Sequence, residues 1–212
     1  MIEAIDIVPS LSGNPSLRYR VNLPERDAVY MEVSRTNFRN DKRYVVLVDA
    51  TLLLQLWRNN RYSMRNLSKG NSATWKKDYK YDDAEHGFSY GIENPVPLSE
   101  VSCSPTLFRR YEKIVLFWRN YSKQSHEIGF TNGVTRIIWL LSHGVAEIPV
   151  LCGVQSAKML HLNAGVKGSP LLSVDELIPK EFGLAGFIID NGFHQLGNDQ
   201  GIPIKEAYNT CR

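Results

Sequence analysis

Residues Glu127–Val150 read EIGFTNGVTRIIWLLSHGVAEIPV, and this stretch decides the fold that we predict. Apolar residues alternate with other residues, as in a β-strand, until Asn132-Gly133 interrupts the pattern. Apolar residues then recur at a helical spacing, at Val134, Ile137, Ile138, Leu140 and Leu141. Gly144 follows at the position of a left-handed helix cap, and Ile148–Val150 opens another strand. The stretch predicts a strand, a tight turn, a helix and a second strand.

The turn into the predicted helix has the composition of an anion-binding corner. The first backbone N–H groups of a helix have no partner inside the helix, and the positive end of its dipole lies beside them. Such a corner favours phosphate above other ligands. We therefore predict that Asn132, Gly133, Thr135 and Arg136 bind a phosphate group.

Arg136 is the residue on which this prediction depends most. A guanidinium at a helix N-terminus opposes the helix dipole, at a cost of some tenths of a kcal/mol that a bound phosphate would relieve. The alternative interpretation is an arginine that pairs with a nearby carboxylate, Glu93 or Glu100, beside an ordinary Asn-Gly turn.

The same residues carry a resemblance to known proteins. The order of strand, Asn-Gly-x-Thr-Arg, apolar helix, glycine and Ile-Pro-Val resembles the nucleotide-binding core of the ParB/sulfiredoxin-like fold. Residues 94–101, NPVPLSEV, resemble the strand that opens that core. Within the superfamily the fuller resemblance is to the plasmid fertility inhibition factors, over roughly residues 20 to 155. It is carried by Trp75–Tyr81, Glu85–Pro97 and Phe130–Arg136 with the Ile-Trp-Leu-Leu that follows.

The resemblance implies a mixed α/β (α+β) fold within a single domain of residues 1–212. Residues 91–155 would form the ParB/sulfiredoxin-like core, with a β-rich N-terminal part at 20–90 and a helical extension at 156–212. Two differences from other members of the superfamily narrow the range of functions. Val134 stands where sulfiredoxins carry their reactive cysteine, so sulfiredoxin chemistry is excluded. The arginine-rich box of ParB partition proteins is reduced to Arg136, which argues against centromere binding and CTP clamping.

The function that the resemblance implies is inhibition of plasmid transfer. Fertility inhibition factors are plasmid-encoded bacterial proteins that stop conjugative or T-DNA export of another plasmid at the type IV secretion coupling protein, and members of this fold are associated with ATPase and DNase activity. The coupling protein and DNA are then the expected partners, ATP the expected cofactor, and Arg136 and Glu93 the catalytic candidates. The alternatives are an interaction protein that occludes the coupling protein without catalysis, and a DNA-binding regulator.

The composition and the apolar pattern exclude membrane-spanning and secreted proteins. With 43% apolar and 22% charged residues, the chain is typical of a globular protein, and it has neither an apolar run of membrane-spanning length nor a secretion signal. We predict no membrane insertion and a cytoplasmic location, with recruitment to the inner membrane by the coupling protein. Three cysteines without CxxC pairing fit a reducing compartment. The oligomeric state is left open.

Residues 58–83 combine cations with aromatic side chains around a polar middle. Cations can hold phosphates while aromatic rings stack on bases. We predict an exposed loop that binds DNA through Arg58, Arg61, Trp75, Lys76 and Lys77. The alternative is a solvated loop whose aromatic residues anchor it to the core.

The densest acidic group directly follows that segment. Asp82, Asp83 and Glu85 stand beside His86, and carboxylate oxygens are ligands for Mg²⁺ or Mn²⁺ in phosphodiester cleavage. We predict a metal site here, with helix capping or solvent exposure as the alternative because no spacing is diagnostic.

The remaining patterns predict the framework around this core. The first twenty residues are punctuated by proline and glycine and predict an arm or loop, followed by an antiparallel ribbon of residues 19–21 and 28–33. Residues 44–48 predict a central strand, and Asp49 caps a helix with Leu52, Leu53, Leu56 and Trp57 on one face.

Further elements are predicted nearer the C-terminus. A helix is expected from Ser104 to Tyr121, although Ile114–Trp118 alone would also suit a strand, and another over residues 154–162. Ser173 to Glu176 form a capping box, and residues 187–190 predict a last strand.

Overall fold

The computed structural model of the chain describes residues 2–8, 14–35, 42–60, 64–114, 117–179 and 202–203. Its strands are β1 (Ile2–Val8), β2 (Ser16–Val21), β3 (Val29–Ser34), β4 (Arg43–Asp49), β5 (Val96–Pro97), β6 (Ser99–Ile114), β7 (Phe117–Asn132), β8 (Glu147–Gly153), β9 (Leu172–Ser173) and β10 (Ile202–Pro203). Its helices are α1 (Ala50–Asn59), α2 (Arg65–Ser68), α3 (Ser72–Trp75), α4 (Tyr81–Ser89), α5 (Val134–Ser142), α6 (Val154–Ala164) and α7 (Val174–Leu177), with a 3-10 turn at Gly91–Glu93. The predicted mixed α/β fold with a β-rich N-terminal part is confirmed.

The first sheet is built from the N-terminal strands in the order β10-β1-β2-β3-β5. Strands β2 and β3 pair antiparallel, as predicted, and bury alternate residues such as Tyr19 and Met31. The prediction of an arm over the first twenty residues is wrong, because β1 and most of β2 lie there. The antiparallel β1–β2 pairing satisfies the backbone of both segments, which local punctuation by proline and glycine does not reveal.

The second sheet has the order β7-β6-β8-β4-β9 and holds the predicted central strand, β4, antiparallel to β8. The chain crosses from one sheet to the other at buried Leu98, whose N–H donates to the Glu32 carbonyl at 2.8 Å. The strand predicted at Val96–Val101 is therefore divided, with β5 in the first sheet and the start of β6 in the second. Helix α6 spans the domain boundary drawn at residue 155 and packs on β4 and β6.

The helix predicted from Ser104 to Tyr121 is wrong. These residues belong to a long antiparallel hairpin of β6 and β7, paired from Val101↔Phe130 to Ile114↔Phe117. The segment is rich in aromatic and β-branched residues, which suit a strand, and the spacing of its apolar residues cannot report pairing with a partner strand. Ser104 and Pro105 are strand residues rather than a helix cap.

Several local predictions are confirmed. The Asp49 carboxylate caps α1 by accepting from the Leu52 N–H at 2.9 Å, although Leu52 itself is exposed and Ala50 takes its place among the buried residues. The capping box at Ser173 and Glu176 opens α7. Helix α6 covers the predicted residues 154–162, whereas the strand predicted at 187–190 lies outside the described residues.

The buried apolar residues of both sheets and their helices form one cluster, in which Trp57 and Trp139 are the largest fully buried side chains. No helix within the described ranges is long and apolar enough to cross a membrane. Helix α5 packs against α3 and α4, which belong to the segment that follows α1 in the chain.

Candidate phosphate-binding cleft

The predicted turn lies between β7, which ends at Asn132, and α5, which begins at Val134. Gly133 has φ of +79°, a left-handed conformation that favours glycine. The buried Ser99 hydroxyl on β6 donates to the Gly133 carbonyl at 2.9 Å and fastens the turn to the sheet. A Cβ at this position would come within 2.5 Å of both Ser99 Oγ and Arg136 Nη2. Both the backbone conformation and the space therefore require glycine.

The N-terminus of α5 has no side-chain cap. The first helical hydrogen bond runs from the Ile137 N–H to the Gly133 carbonyl at 3.2 Å, so the amides before Ile137 lie outside that ladder. Thr135 is half-buried in the same first turn. These amides and the end of the helix dipole provide a positive potential with no anionic group of the helix in its first turn.

The Arg136 guanidinium folds back beneath Gly133. Its Nε and Nη2 atoms are buried and have no hydrogen-bond partner among the described residues. Burial lowers the pKa of Arg136, and the charge of Glu100 acts in the opposite direction. Glu100 is itself paired with Arg43 at 2.9 Å. Within the described part of the chain, neither Glu100 nor Glu93 forms a hydrogen bond or an ion pair within 4 Å of Arg136, although the charge of Glu100 is close enough to act on it.

An open cleft of about 590 Å³ lies in front of this turn. Residues 130–136 form one wall, so the structure brings Asn132, Gly133, Thr135 and Arg136 to one surface. The other wall comes from the segment that runs from α2 through α4, and includes Leu67, Asp78, Tyr79, Lys80, Asp83, Ala84 and Gly87. A volume of this size is that of a small-molecule pocket.

The far wall contributes residues that sequence reasoning did not assign to a phosphate site. Lys80 faces the cleft as a second cation, and its Nζ lies 5.4 Å from the centre of the Tyr79 ring. Tyr79 is 85% exposed, whereas Asp78 and Asp83 supply two carboxylates. No signal in the sequence connects these residues to Arg136, because more than fifty positions separate them and the contact is purely tertiary.

Glu93, predicted as catalytic, lies elsewhere. It ends the 3-10 turn at Gly91–Glu93, is exposed, and does not line the cleft. The acidic residues that line the cleft with Arg136 are Asp78 and Asp83. The pairing of Glu93 with Arg136 as catalytic residues is not supported by this geometry.

The predicted DNA-binding residues separate into two groups. Arg58 donates to the carbonyls of Ser68 at 3.0 Å and Gly70 at 3.3 Å, and Trp75 is 4% exposed with its indole N–H bonded to the Leu67 carbonyl at 2.7 Å. Both side chains hold short helices together. The prediction of Trp75 as a DNA contact is wrong because its ring is buried, whereas Arg58 is exposed and stays a prediction. The segment predicted as an exposed loop contains the short helices α2 and α3. Lys76 and Lys77 are exposed, and Arg61 lies outside the described residues.

The predicted metal ligands do not converge. Asp82 and Asp83 are exposed in the first turn of α4, where carboxylates stabilise the positive end of the helix dipole. The Glu85 carboxylate instead pairs with Arg26 at 2.7 Å and accepts from the Trp139 indole N–H at 2.7 Å. Within the described ranges no three histidine, cysteine or acidic residues could hold a metal ion. These residues therefore do not fit the predicted site, and no step is assigned to a metal here.

The two described cysteines, Cys103 and Cys152, are free and buried. Burial raises the pKa of Cys103 to about 11 and that of Cys152 to about 12. Both side chains are therefore protonated thiols at neutral pH.

The part of the sequence that forms this cleft is similar to known proteins. A model described as plasmid fertility inhibition factor matches residues 45–165, which include every residue that lines the cleft. Protein osa of Shigella flexneri is 38% identical over 91 residues, a segment that covers 42% of this chain and 40% of that protein's length.

A solved structure extends the similarity over most of the chain. The crystal structure of the oncogenic suppression activity protein, a plasmid fertility inhibition factor, as its gold(I) cyanide derivative matches with a TM-score of 0.60 and 28% identity. The match covers 82% of this chain and 81% of that one. Since the family model also spans more than half of the sequence, this chain belongs to the plasmid fertility inhibition factor family.

Proposed function

We propose that this fertility inhibition factor acts through the cleft at the N-terminus of α5, where it binds the phosphates of ATP or of the transferred DNA. Binding there blocks transfer of another plasmid at the type IV secretion coupling protein. The protein acts from the cytoplasm and is recruited to the inner membrane by that partner.

The observation that carries the proposal is the unsatisfied state of Arg136. A guanidinium has five N–H donors, and leaving buried donors unpaired costs about 1–3 kcal/mol. Nε and Nη2 are in that state, next to a helix N-terminus without a side-chain cap. A phosphate oxygen satisfies such donors and neutralises the charge at the same time. The ligand that best fits this corner is therefore a phosphate group.

The rest of the cleft suits the remainder of a nucleotide. The exposed Tyr79 ring offers a stacking surface, and Leu67, Val96 and Phe130 supply apolar contacts. Lys80 adds a charge for a second phosphate. Hydrolysis in this cleft would require a general base, and the carboxylates of Asp78 and Asp83 are those that line it.

The proposal is tested by measuring ATP affinity by titration calorimetry beside plasmid transfer in a mating assay. Arg136→Ala removes charge-assisted hydrogen bonds worth about 1.5–3 kcal/mol, so we expect ATP affinity to fall at least tenfold and inhibition of transfer to be lost. We also expect Arg136→Ala to lower the ATPase and the DNase activity together with ATP affinity. Each activity is measured once with Mg²⁺ and once with EDTA. Arg20→Ala is the matched control, because Arg20 is exposed on β2 and does not line the cleft.

Two results would overturn the proposal in different ways. If the wild-type protein binds neither ATP nor DNA, the cleft is not a phosphate site. If Arg136→Ala loses binding but still inhibits transfer, the protein is a blocking scaffold whose inhibition does not depend on the cleft. In that case substitutions on an exposed surface, rather than in the cleft, would abolish inhibition.

A further inference from the structure

The hairpin of β6 and β7 extends well beyond the rest of the second sheet. Strand β6 pairs with β8 at its first two residues, whereas its pairing with β7 continues to Ile114↔Phe117. Hydrogen bonds from α6 and from the C-terminal end of α1 reach the hairpin at Cys103 and over Ser125–Ile128. Leu107, farther along β6, is 70% exposed. From there to Ile114 the strand adds about 24 Å, at the usual rise of about 3.4 Å per residue, so this half of the hairpin is an arm.

The far end of the arm has an apolar sequence, which is unusual for a hairpin turn. Residues 114–118 read Ile-Val-Leu-Phe-Trp, without the Gly, Asn, Asp or Pro that favour tight turns. Strand β6 ends at Ile114 and β7 begins at Phe117, and Lys113 pairs with Trp118 in the next rung. Together with Arg119 these four residues form the arm tip. A group of large apolar residues placed away from the core marks a surface that binds a partner.

The charge of the arm indicates which partner the arm tip fits. Within residues 107–124 the sequence has one acidic residue, Glu112, which lies opposite Arg119 in the register. The same residues include five cations, Arg109, Arg110, Lys113, Arg119 and Lys123. Cations beside apolar and aromatic residues suit an anionic bilayer, because cations are attracted to its headgroups and tryptophan and tyrosine prefer its interface. A nucleic acid would use the cations but leave the apolar tip in water.

We propose that the arm tip binds the surface of an anionic lipid bilayer and attaches the protein to it as a peripheral protein. The apolar residues of the tip enter the interface, and the cations of the arm bind the headgroups beside it. Stable attachment of a peripheral protein takes two such signals, and the arm supplies both. The arm tip does not line the cleft, so this inference goes beyond the proposed function and does not depend on it.

The first test measures how the full chain sediments with vesicles. Vesicles of phosphatidylcholine alone are compared with vesicles that contain phosphatidylglycerol in equal proportion, and the wild type should bind the anionic vesicles more tightly. Phe117→Ser/Trp118→Ser removes two large apolar residues and should weaken that binding at least about tenfold. Lys113→Gln/Arg119→Gln should weaken it about 25-fold, because each cation near an anionic surface contributes about fivefold in affinity.

The second test uses tryptophan fluorescence to identify the part of the chain that enters the bilayer. The protein has four tryptophans, and three of them, Trp57, Trp75 and Trp139, are at most 4% exposed. Brominated phosphatidylcholine quenches a tryptophan on contact, so quenching in the wild type should come from Trp118. Trp118→Phe keeps a large apolar residue, and this variant should retain vesicle binding while it loses the quenching.

Matched controls lie outside the arm. Leu162→Ser changes an apolar residue on α6 that is 84% exposed, and Lys158→Gln/Lys167→Gln changes two exposed lysines. Both should bind vesicles as the wild type does. Urea unfolding identifies any variant that has lost its fold, and ATP affinity, which depends on the cleft, should be the same in every folded variant.

Three results would overturn the inference. The wild type does not sediment with anionic vesicles, the folded arm variants bind them as tightly as the wild type, or brominated lipid leaves the wild-type fluorescence unchanged. Binding of an oligothymidylate that Lys113→Gln/Arg119→Gln weakens, with vesicle binding unchanged, would show that the arm binds nucleic acid and would also overturn it.

Discussion

An arginine side chain lies at each end of helix α5, and the two differ in whether their donors have partners. At the N-terminus, Arg136 Nε and Nη2 are buried without partners among the described residues. At the C-terminus, Arg26 lies 5.7 Å from the centre of the Trp139 ring, pairs with Glu85 at 2.7 Å and contacts His143 Nε2 at 3.1 Å. Because an arginine can only donate, Nε2 of His143 accepts, and its protonated Nδ1 donates to the Trp139 carbonyl at 2.9 Å.

The difference separates a satisfied structural network from the site that we propose to bind phosphate. Around Trp139 every strong donor and acceptor named above has a partner inside the protein. Its ring stacks on Phe88 with ring centres 4.4 Å apart and packs against the tilted ring of His143 at 4.0 Å. A satisfied network of this kind stabilises the fold and leaves no capacity for a ligand. Glu85, which we predicted as a metal ligand, belongs to this hydrogen-bonded network. The unsatisfied donors of Arg136 at the other end are the observation on which the proposed phosphate site rests.

The largest effect is expected from Trp139→Ala, which tests whether the C-terminal end is structural. Trp139 is 1% exposed, and truncation of a buried tryptophan costs about 3–5 kcal/mol. We expect the free energy of unfolding in urea to fall by that amount. Leu162→Ala on α6 is the control, because Leu162 is 84% exposed and surface changes cost less than about 0.5 kcal/mol. Equal losses in both variants would contradict a structural role for this end.

An intermediate effect is expected from Gly133→Ala at the N-terminal end. The left-handed conformation costs a residue with a Cβ about 1–2 kcal/mol, and the new methyl group would displace Arg136 or the short, buried Ser99 side chain. Stability should fall by about that amount, and ATP affinity should fall with it, in urea unfolding and calorimetry respectively.

Gly168→Ala provides the control for that substitution. Gly168 has a similar φ of +83°, but nothing lies within 4 Å of the position of a Cβ. The stability of the Gly168→Ala variant should also fall, whereas its ATP affinity should not change. A loss of affinity at Gly168 as large as at Gly133 would show that the effect is not local to the turn.

The smallest effect concerns the pH dependence of the satisfied network. The Arg26 hydrogen bond, with the Trp139 indole N–H assisting, lowers the pKa of Glu85 in the folded protein. Glu85 therefore stabilises the fold fully above its unfolded pKa, near 4.5, and this contribution is lost as the pH falls through the lower folded value. The stability difference between wild type and Glu85→Gln should be largest at neutral pH and should shrink below about pH 4.5.

Urea midpoints measured from pH 7 to pH 3 check this expectation. Glu93→Gln, at an exposed glutamate outside the network, is the matched control. A difference for Glu85→Gln that grows towards acid pH would contradict the assigned ion pair.

Local chemistry accounts for the parts of the fold that were predicted correctly. The Asn132-Gly133 turn, the helix after it, the Asp49 cap and the Ser173 capping box each depend on residues no more than four positions apart. The hairpin of β6 and β7 was misread because its apolar spacing also fits a helix, and cross-strand pairing decided between the two. Trp75 was misassigned for a similar reason, since only the packing around it reveals that it is buried.

The sequence by itself determined one wall of the candidate site. Gly133, Thr135 and Arg136 are consecutive enough that a strand, a turn and a helix place them together. Only the tertiary structure places Tyr79 and Lys80 in the same cleft as these residues. It also places the Glu85 carboxylate in a network with Arg26 and Trp139. The physical reason is that capping and helix dipoles act over a few residues, whereas burial and ion pairing depend on contacts between segments distant in the chain.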